Sequence, residues 1–208
     1  MSGPSPVLMA PLLLEALAAR RGAPGCRVER LGMGPGRAQA AAARLQGSIP
    51  SGSPAVVLGV AGALVEGARP GEVVVASELS STTGGSSVPL RSAAEVAELL
   101  SLAGLSVLQA PVVSSPTIVS GAQARLDAAS GGAVAVDMES YWCLPLSADR
   151  PFAVVRVVLD IPGRDLWSPA SLPAAAFAFR ALVRSARALA RWSPAGAFEP
   201  YYQKVGDL

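Results

Sequence analysis

Histidine is absent from all 208 residues, and no other feature of the composition removes as much chemistry. Without imidazole there is no Ser-His-Asp or Cys-His nucleophile and no histidine-based metal site. Any catalysis must run on carboxylates, arginine, hydroxyls and backbone groups. Cysteine is nearly as scarce: Cys26 and Cys143 stand far apart and match no metal or redox spacing, so both are expected as reduced thiols. Lys204 is the sole lysine, and the net charge of +2 is scattered rather than gathered in runs, which argues against a nucleic-acid partner. Aromatic residues make up only 5% of a chain that is 51% hydrophobic, so the core has to be packed from Ala, Val and Leu. No apolar stretch approaches the ~20 residues of a membrane span. Val7–Ala19 lacks a basic leader and carries Glu15 inside it, so the expectation is an untargeted, cytoplasmic protein with no transmembrane segment.

What is present alternates. A chain of this length is expected to form one domain over 1–208, with 193–208 as a C-terminal tail. Strands are predicted at Pro6–Met9, Arg27–Leu31, Ala55–Gly59, Glu72–Ser77, Leu105–Ala110, Pro116–Ser120, Ala133–Met138 and Phe152–Asp160. Helices are predicted at Leu12–Arg21, after the glycine turn GMGPG, at Ala93–Ala103 and at Leu172–Trp192. Glu78–Val88, ELSSTTGGSSV, has the composition of a mobile loop. Arg180, Arg184, Arg187 and Arg191 fall on one stripe of the last helix and are expected to face solvent. The pattern implies a single three-layer α/β domain with a central mixed sheet flanked by helices.

One stretch stands out against this apolar background. AVAVDMESYW (133–142) places Asp137 and Glu139 directly after an apolar run with no basic residue nearby. Carboxylates are costly to bury, so they are kept for solvation or for chemistry. Asp137 reads as an N-cap for a helix beginning near Met138 or as a ligand group.

The order of motifs is the most specific signal. GMGPGRA (32–38), LGVAGAL (58–64), PGEVVVASEL (70–79), TIVSGAQ (117–123), AVAVDMES (133–140) and VVRVVLD (154–160) follow one another in a sequence that resembles the nucleoside phosphorylase and nucleosidase superfamily. That superfamily contains methylthioadenosine/adenosylhomocysteine nucleosidase, and the resemblance runs from about Val7 to Asp160. The wording GMGPGRA, VDMES and VVLD is most similar to the hopanoid-associated nucleosidase or phosphorylase set.

The resemblance implies cleavage of the N-glycosidic bond of a purine nucleoside. The substrate would be of adenosine type, with a lipid at its 5′ carbon if the hopanoid-associated set is followed. Met138 and Glu139 would bind the ribose, and one ionised carboxylate can accept hydrogen bonds from both vicinal hydroxyls, each worth about 1.5–3 kcal/mol. Asp160 would be the acid that protonates the departing base, its proton affinity raised at the end of an apolar strand. Glu15 would position the attacking water, with a solvated helix carboxylate as the other reading. Gly34, Gly59, Ala61 and Gly62 would lie beneath the sugar, and Ser120, Gly121 and Gln123 would form the base pocket. Tyr141, Trp142 or Trp167 would stack on the base only if folding brings them near.

This chain departs from the family pattern where a serine usually precedes the aspartate, since Leu159 stands there, and where Ala122 replaces an aspartate. It also lacks the arginine that superfamily phosphorylases place before the second glycine turn, which favours water over phosphate, although Arg37 and Arg156 remain candidate anion ligands. Phosphorolysis, a futalosine-type hydrolase and an inactive nucleoside-binding homologue are the alternatives. No cofactor or metal is implied, and a homo-oligomer is expected.

Overall fold

The computed structural model describes residues 4–161 and 172–194; Pro162, Gly163, Trp167 and the tail from 195 onward lie outside the described residues. The elements in chain order are β1 (Val7–Ala10), α1 (Leu13–Gly22), β2 (Val28–Arg30), α2 (Pro35–Gln46), β3 (Ala55–Ala63), β4 (Val73–Ser81) and β5 (Val88–Pro89). They continue with α3 (Ala93–Leu102), β6 (Val107–Ser114), α4 (Ala122–Ala129), β7 (Ala135–Asp137), a 3₁₀ helix (Ser140–Ala148), β8 (Phe152–Asp160) and α5 (Leu172–Leu189). This is the mixed-sheet α/β domain that the alternation predicts.

All eight strands join one sheet. β3 is its axis, parallel to β1 on one edge and to β8 along the whole of the other. β8 then pairs antiparallel with β4, β4 runs parallel to β6, and β6 runs parallel to β7. β7 returns to pair antiparallel with the end of β3, so five strands close into a ring. Strands shielded on both faces need apolar residues at nearly every position, which is why β8 reads FAVVRVV and β4 begins VVVA where they are buried, β4 turning polar where it emerges.

The core is built as the composition requires, from buried Ala, Val and Leu with few rings. α5 packs on α1, α3 and β8, and α2 packs on the 3₁₀ helix. Gly22 lets α1 approach α5, since a Cβ there would lie 2.8 Å from that of Ala186. The arginine stripe of α5 faces solvent, and Arg184 Nη2 also donates to the carbonyls of Ala103 and Gly104 that end α3. Cys26 and Cys143 are free, and burial pushes the Cys143 thiol up to about 12.

Four local readings are corrected. β3 does not stop at Gly59, because β8 pairs with it in register on past that glycine. The segment 78–88 is not simply a loop: β4 runs to Ser81 and pairs back with β5 through Glu78 and Leu79. β6 passes through Pro111, which falls where the β4 pairing skips from Ala76 to Leu79, a bulge that requires no donor from proline. Pro116–Ser120 is not a strand, and α4, whose eight residues carry almost no apolar periodicity, was not predicted.

Candidate active site

The site grows out of a gap in the backbone ladder. β1 pairs with β3 only as far as Val57, and β7 joins the same edge only from Gly62. Residues between them have no strand partner on that edge, and a buried backbone group without one must find a side chain. Glu15, in the first turn of α1, fills the gap: its Oε1 accepts the Val60 N–H at 2.7 Å. Its Oε2 accepts the Leu12 N–H at 2.6 Å, so both oxygens are fixed. Glu15 is only 3% exposed, which excludes the reading of it as a solvated helix carboxylate. Burial raises its pKa, opposed by Arg156 and by the two backbone donors.

Arg156 is the cation at the centre. It projects from the middle of β8, fully buried, and lies over Gly59, its register partner on β3. Its Nη2 is 2.6 Å from Asp137 Oδ2, an ion pair without hydrogen-bond alignment, and 3.4 Å from Glu139 Oε2. Nε and Nη2 both donate to Ser140 Oγ, at 3.2 and 3.0 Å. Burial disfavours its charge, but Asp137, Glu139 and Glu15 outweigh that, so its pKa lies above the ordinary arginine value. The sequence reading left Arg156 as an anion ligand. The structure corrects that, because its guanidinium is already shared among internal acceptors.

Gly59 makes this possible. A Cβ there would sit 2.4 Å from Arg156 Nη1 and 2.8 Å from Glu15 Oε1.

Glu139 follows β7 at the entrance to the 3₁₀ helix. Oε1 accepts the Gly34 N–H at 3.0 Å, so the first glycine turn holds this carboxylate from 105 residues away. Burial raises its pKa, against the pull of Arg156. Each carboxylate offers about four lone-pair positions, and the protein's contacts leave room on Glu139 for further donors. Asp137 Oδ1 accepts from the Glu139 and Ser140 N–H groups at 3.2 and 3.3 Å and from the Ser114 hydroxyl, so it caps the 3₁₀ helix as well as pairing with Arg156.

Asp160 ends β8. Its Oδ2 is bonded by Arg125 Nη2, and Arg125 Nη1 donates to the Ala63 carbonyl at 2.5 Å. The apolar surroundings expected for this carboxyl are therefore corrected: its nearest partner is a buried guanidinium from α4.

A cavity of about 270 Å³ opens among these groups, near the lower end for small-ligand pockets. Glu15, Ala61, Gly62, Met138, Glu139 and Asp160 all line it, and Gly34 and Gly59 stand directly behind Glu139 and Glu15. Ser120, Gly121 and Gln123 do not. Gly121 starts α4, Gln123 donates to Asp127 on the exposed face of that helix, and Thr117, Ile118 and Val119 line the cavity instead. Tyr141 and Trp142 pack edge to face with each other, 6.1 Å apart, and do not reach the cavity. Arg37 is exposed and packs on Gly32, outside the lining. Sequence reasoning missed Arg125, which nothing in AQARLDAA distinguishes. It undervalued Arg156, whose signal was a lone charge inside a valine strand.

No family model matches the sequence, and no curated protein matches it. Solved structures do. Futalosine hydrolase from Helicobacter pylori superposes with a TM-score of 0.75 at 15% identity, over 90% of this chain and 96% of that one. The fold is that of the nucleosidases. 5′-Methylthioadenosine/S-adenosylhomocysteine nucleosidase from Neisseria meningitidis, in complex with methylthio-immucillin-A, matches at TM-score 0.69 and 17% identity, over 89% and 96% of the two chains. S-Adenosylhomocysteine nucleosidase from Streptococcus pyogenes, in complex with 5-methylthiotubericidin, gives 0.72, 16%, 91% and 96%. Within this nucleosidase fold the cavity lies where β1, β3, β7 and β8 end together.

Proposed function

We propose that the protein hydrolyses the N-glycosidic bond of a purine nucleoside. The observation that carries this reading is the convergence of Glu15, Glu139 and Asp160, from three separate elements, on one largely apolar cavity. Glu139 accepts hydrogen bonds from the vicinal ribose hydroxyls, and Met138 packs on the apolar face of the sugar. Glu15 holds a water and takes its proton as the oxygen attacks the anomeric carbon. Burial of that carboxylate supports the role, since a raised proton affinity makes the stronger base. Asp160 donates a proton to the base as the carbon–nitrogen bond breaks, so the leaving group departs neutral.

Water is favoured over phosphate. Among the described residues, no arginine or lysine lines the cavity, and Arg156 is committed to Asp137, Glu139 and Ser140. A phosphate monoanion or dianion would have to enter beside three carboxylates without a free cation to receive it.

The finer reading is an adenosine-type substrate with an apolar, lipid-like 5′ substituent, as in an adenosyl lipid, acted on in the cytoplasm. Exposed Leu12, Met33 and Ile118 around the cavity mouth support it, because a polar 5′ group gains nothing from such a rim. Exposed Leu13, Leu14 and Leu17 on α1 beside the mouth support association with a second copy.

The test is release of free base from a panel of adenosine-type nucleosides, followed by mass detection, for the wild type and for Asp160→Asn. Turnover without phosphate and a loss of about 100-fold or more in D160N are expected, the range for a general acid. Equal rates in the two proteins, or an absolute need for phosphate, would overturn the reading.

A further inference from the structure

We infer that Arg125 is the positioning residue for Asp160: it grips Oδ2 from behind, so that Oδ1 is the oxygen presented to the departing base. The inference rests on the nucleosidase reading. Where the superfamily resemblance leads one to expect a hydroxyl next to the aspartate, this chain has Leu159, which has nothing to donate. Arg125 supplies a donor from elsewhere in the fold, on α4, thirty-five positions earlier in the chain.

The attachment has two points. Nη1 is fixed to the Ala63 carbonyl at the end of β3, and Nη2 to Asp160 Oδ2 at the end of β8. A planar guanidinium bonded through both prongs cannot swing without losing one of them. Asp160 Oδ1 has no partner among the described residues, and Asp160 lines the cavity while Arg125 does not. The guanidinium is therefore behind the carboxyl rather than in contact with a ligand. The pair lies against the β3 backbone at Gly62, where a Cβ would be in ordinary contact with both, 3.6 Å from Nη1 and 3.7 Å from Oδ2. A guanidinium buried this far, with Arg125 only 8% exposed, is kept out of water only where its donors are paired. α4 is short and buries only Arg125 and Ala128, so Arg125 ties it to the strand ends while Ala128 packs in a small apolar cluster with Leu64, Val113 and Val136.

The experiment compares steady-state base release by the wild type, D160N, Arg125→Met and Arg125→Lys. R125M is expected to lose about 100-fold in kcat, the scale of a 1 Å misplacement, with KM changed by less than about threefold. R125K keeps the charge but not the fork, and is expected to recover part of the lost kcat while staying about tenfold below the wild type. If R125M does not fold, R125K and Arg125→Gln carry the same comparison. An R125M enzyme with wild-type kcat, or one whose loss lies in KM rather than kcat, alongside an impaired D160N, overturns this inference alone. A wild type inert across the panel, or a D160N as fast as the wild type, overturns the nucleosidase reading and this inference together.

Discussion

Replacing Gly59 by alanine would put a methyl carbon into the space that Glu15 and Arg156 share. The new Cβ would stand 2.4 Å from Arg156 Nη1, about 1 Å short of ordinary contact, and 2.8 Å from Glu15 Oε1. The backbone at Gly59 is not in the left-handed region, so alanine itself fits and the whole effect is steric. β3 is held on its far edge by β8, so the strand cannot retreat and the two side chains must move. Overpacking of this kind costs about 1–3 kcal/mol. A displacement of about 1 Å in a positioned catalytic group costs about 100-fold in rate. Gly59→Ala is therefore expected to fold, with an unfolding free energy from urea titration lowered by that amount, and to release base about 100-fold more slowly than the wild type. Gly36→Ala is the control, because a Cβ at Gly36 meets nothing within 4 Å. It should leave the rate unchanged and raise stability slightly, by about 0.4–1 kcal/mol, as alanine does in a helix. A folded G59A whose rate stays within about threefold of the wild type would refute the account of Glu15 and Arg156 as a rigid pair.

Two further outcomes follow from the buried charges. Arg156→Met leaves Asp137, Glu139 and Glu15 without their shared cation, and breaking a buried pair from one side costs about 3–5 kcal/mol; urea unfolding checks it, and a loss below about 1 kcal/mol would show that the carboxylates do not need it. The pKa values of Glu15 and Glu139 are both raised above 4.5, so the folded chain binds those protons more tightly than the unfolded one. The stability this provides is present below pH 4.5 and is lost as pH rises through the folded values. The stability difference between the wild type and Glu15→Gln or Glu139→Gln should therefore fall with rising pH, and urea midpoints that keep a constant difference from about pH 4 to 8 would refute it.

Much of the candidate site was legible because of where the carboxylates stand in the chain. Asp160 closes an apolar strand whose bounds, Phe152–Asp160, match the prediction, and Glu139 follows another. Glu15 was ambiguous in sequence, since a helix carboxylate can face solvent or core. Its burial became visible only once the Val60 N–H was seen to lack a strand partner. The cavity is lined by Thr117, Ile118 and Val119 rather than by Ser120, Gly121 and Gln123, because Pro116–Ser120 is not the predicted strand and Gly121, at φ +83, turns the chain into α4.

Composition and order along the chain determined the alternating α/β class, an Ala-Val-Leu core and a chemistry without imidazole, because these follow from local periodicity and from which side chains exist at all. Only the tertiary structure decided which cation serves which carboxylate. Arg156 stands out as a lone charge in a valine strand and Arg125 does not stand out at all, yet neither setting names a partner: one pairs with Asp137 and Glu139 over Gly59 and the other holds Asp160. A hydrogen bond depends on distance in space, and the closure of β3, β8, β4, β6 and β7 into a ring sets those distances between residues far apart in the chain.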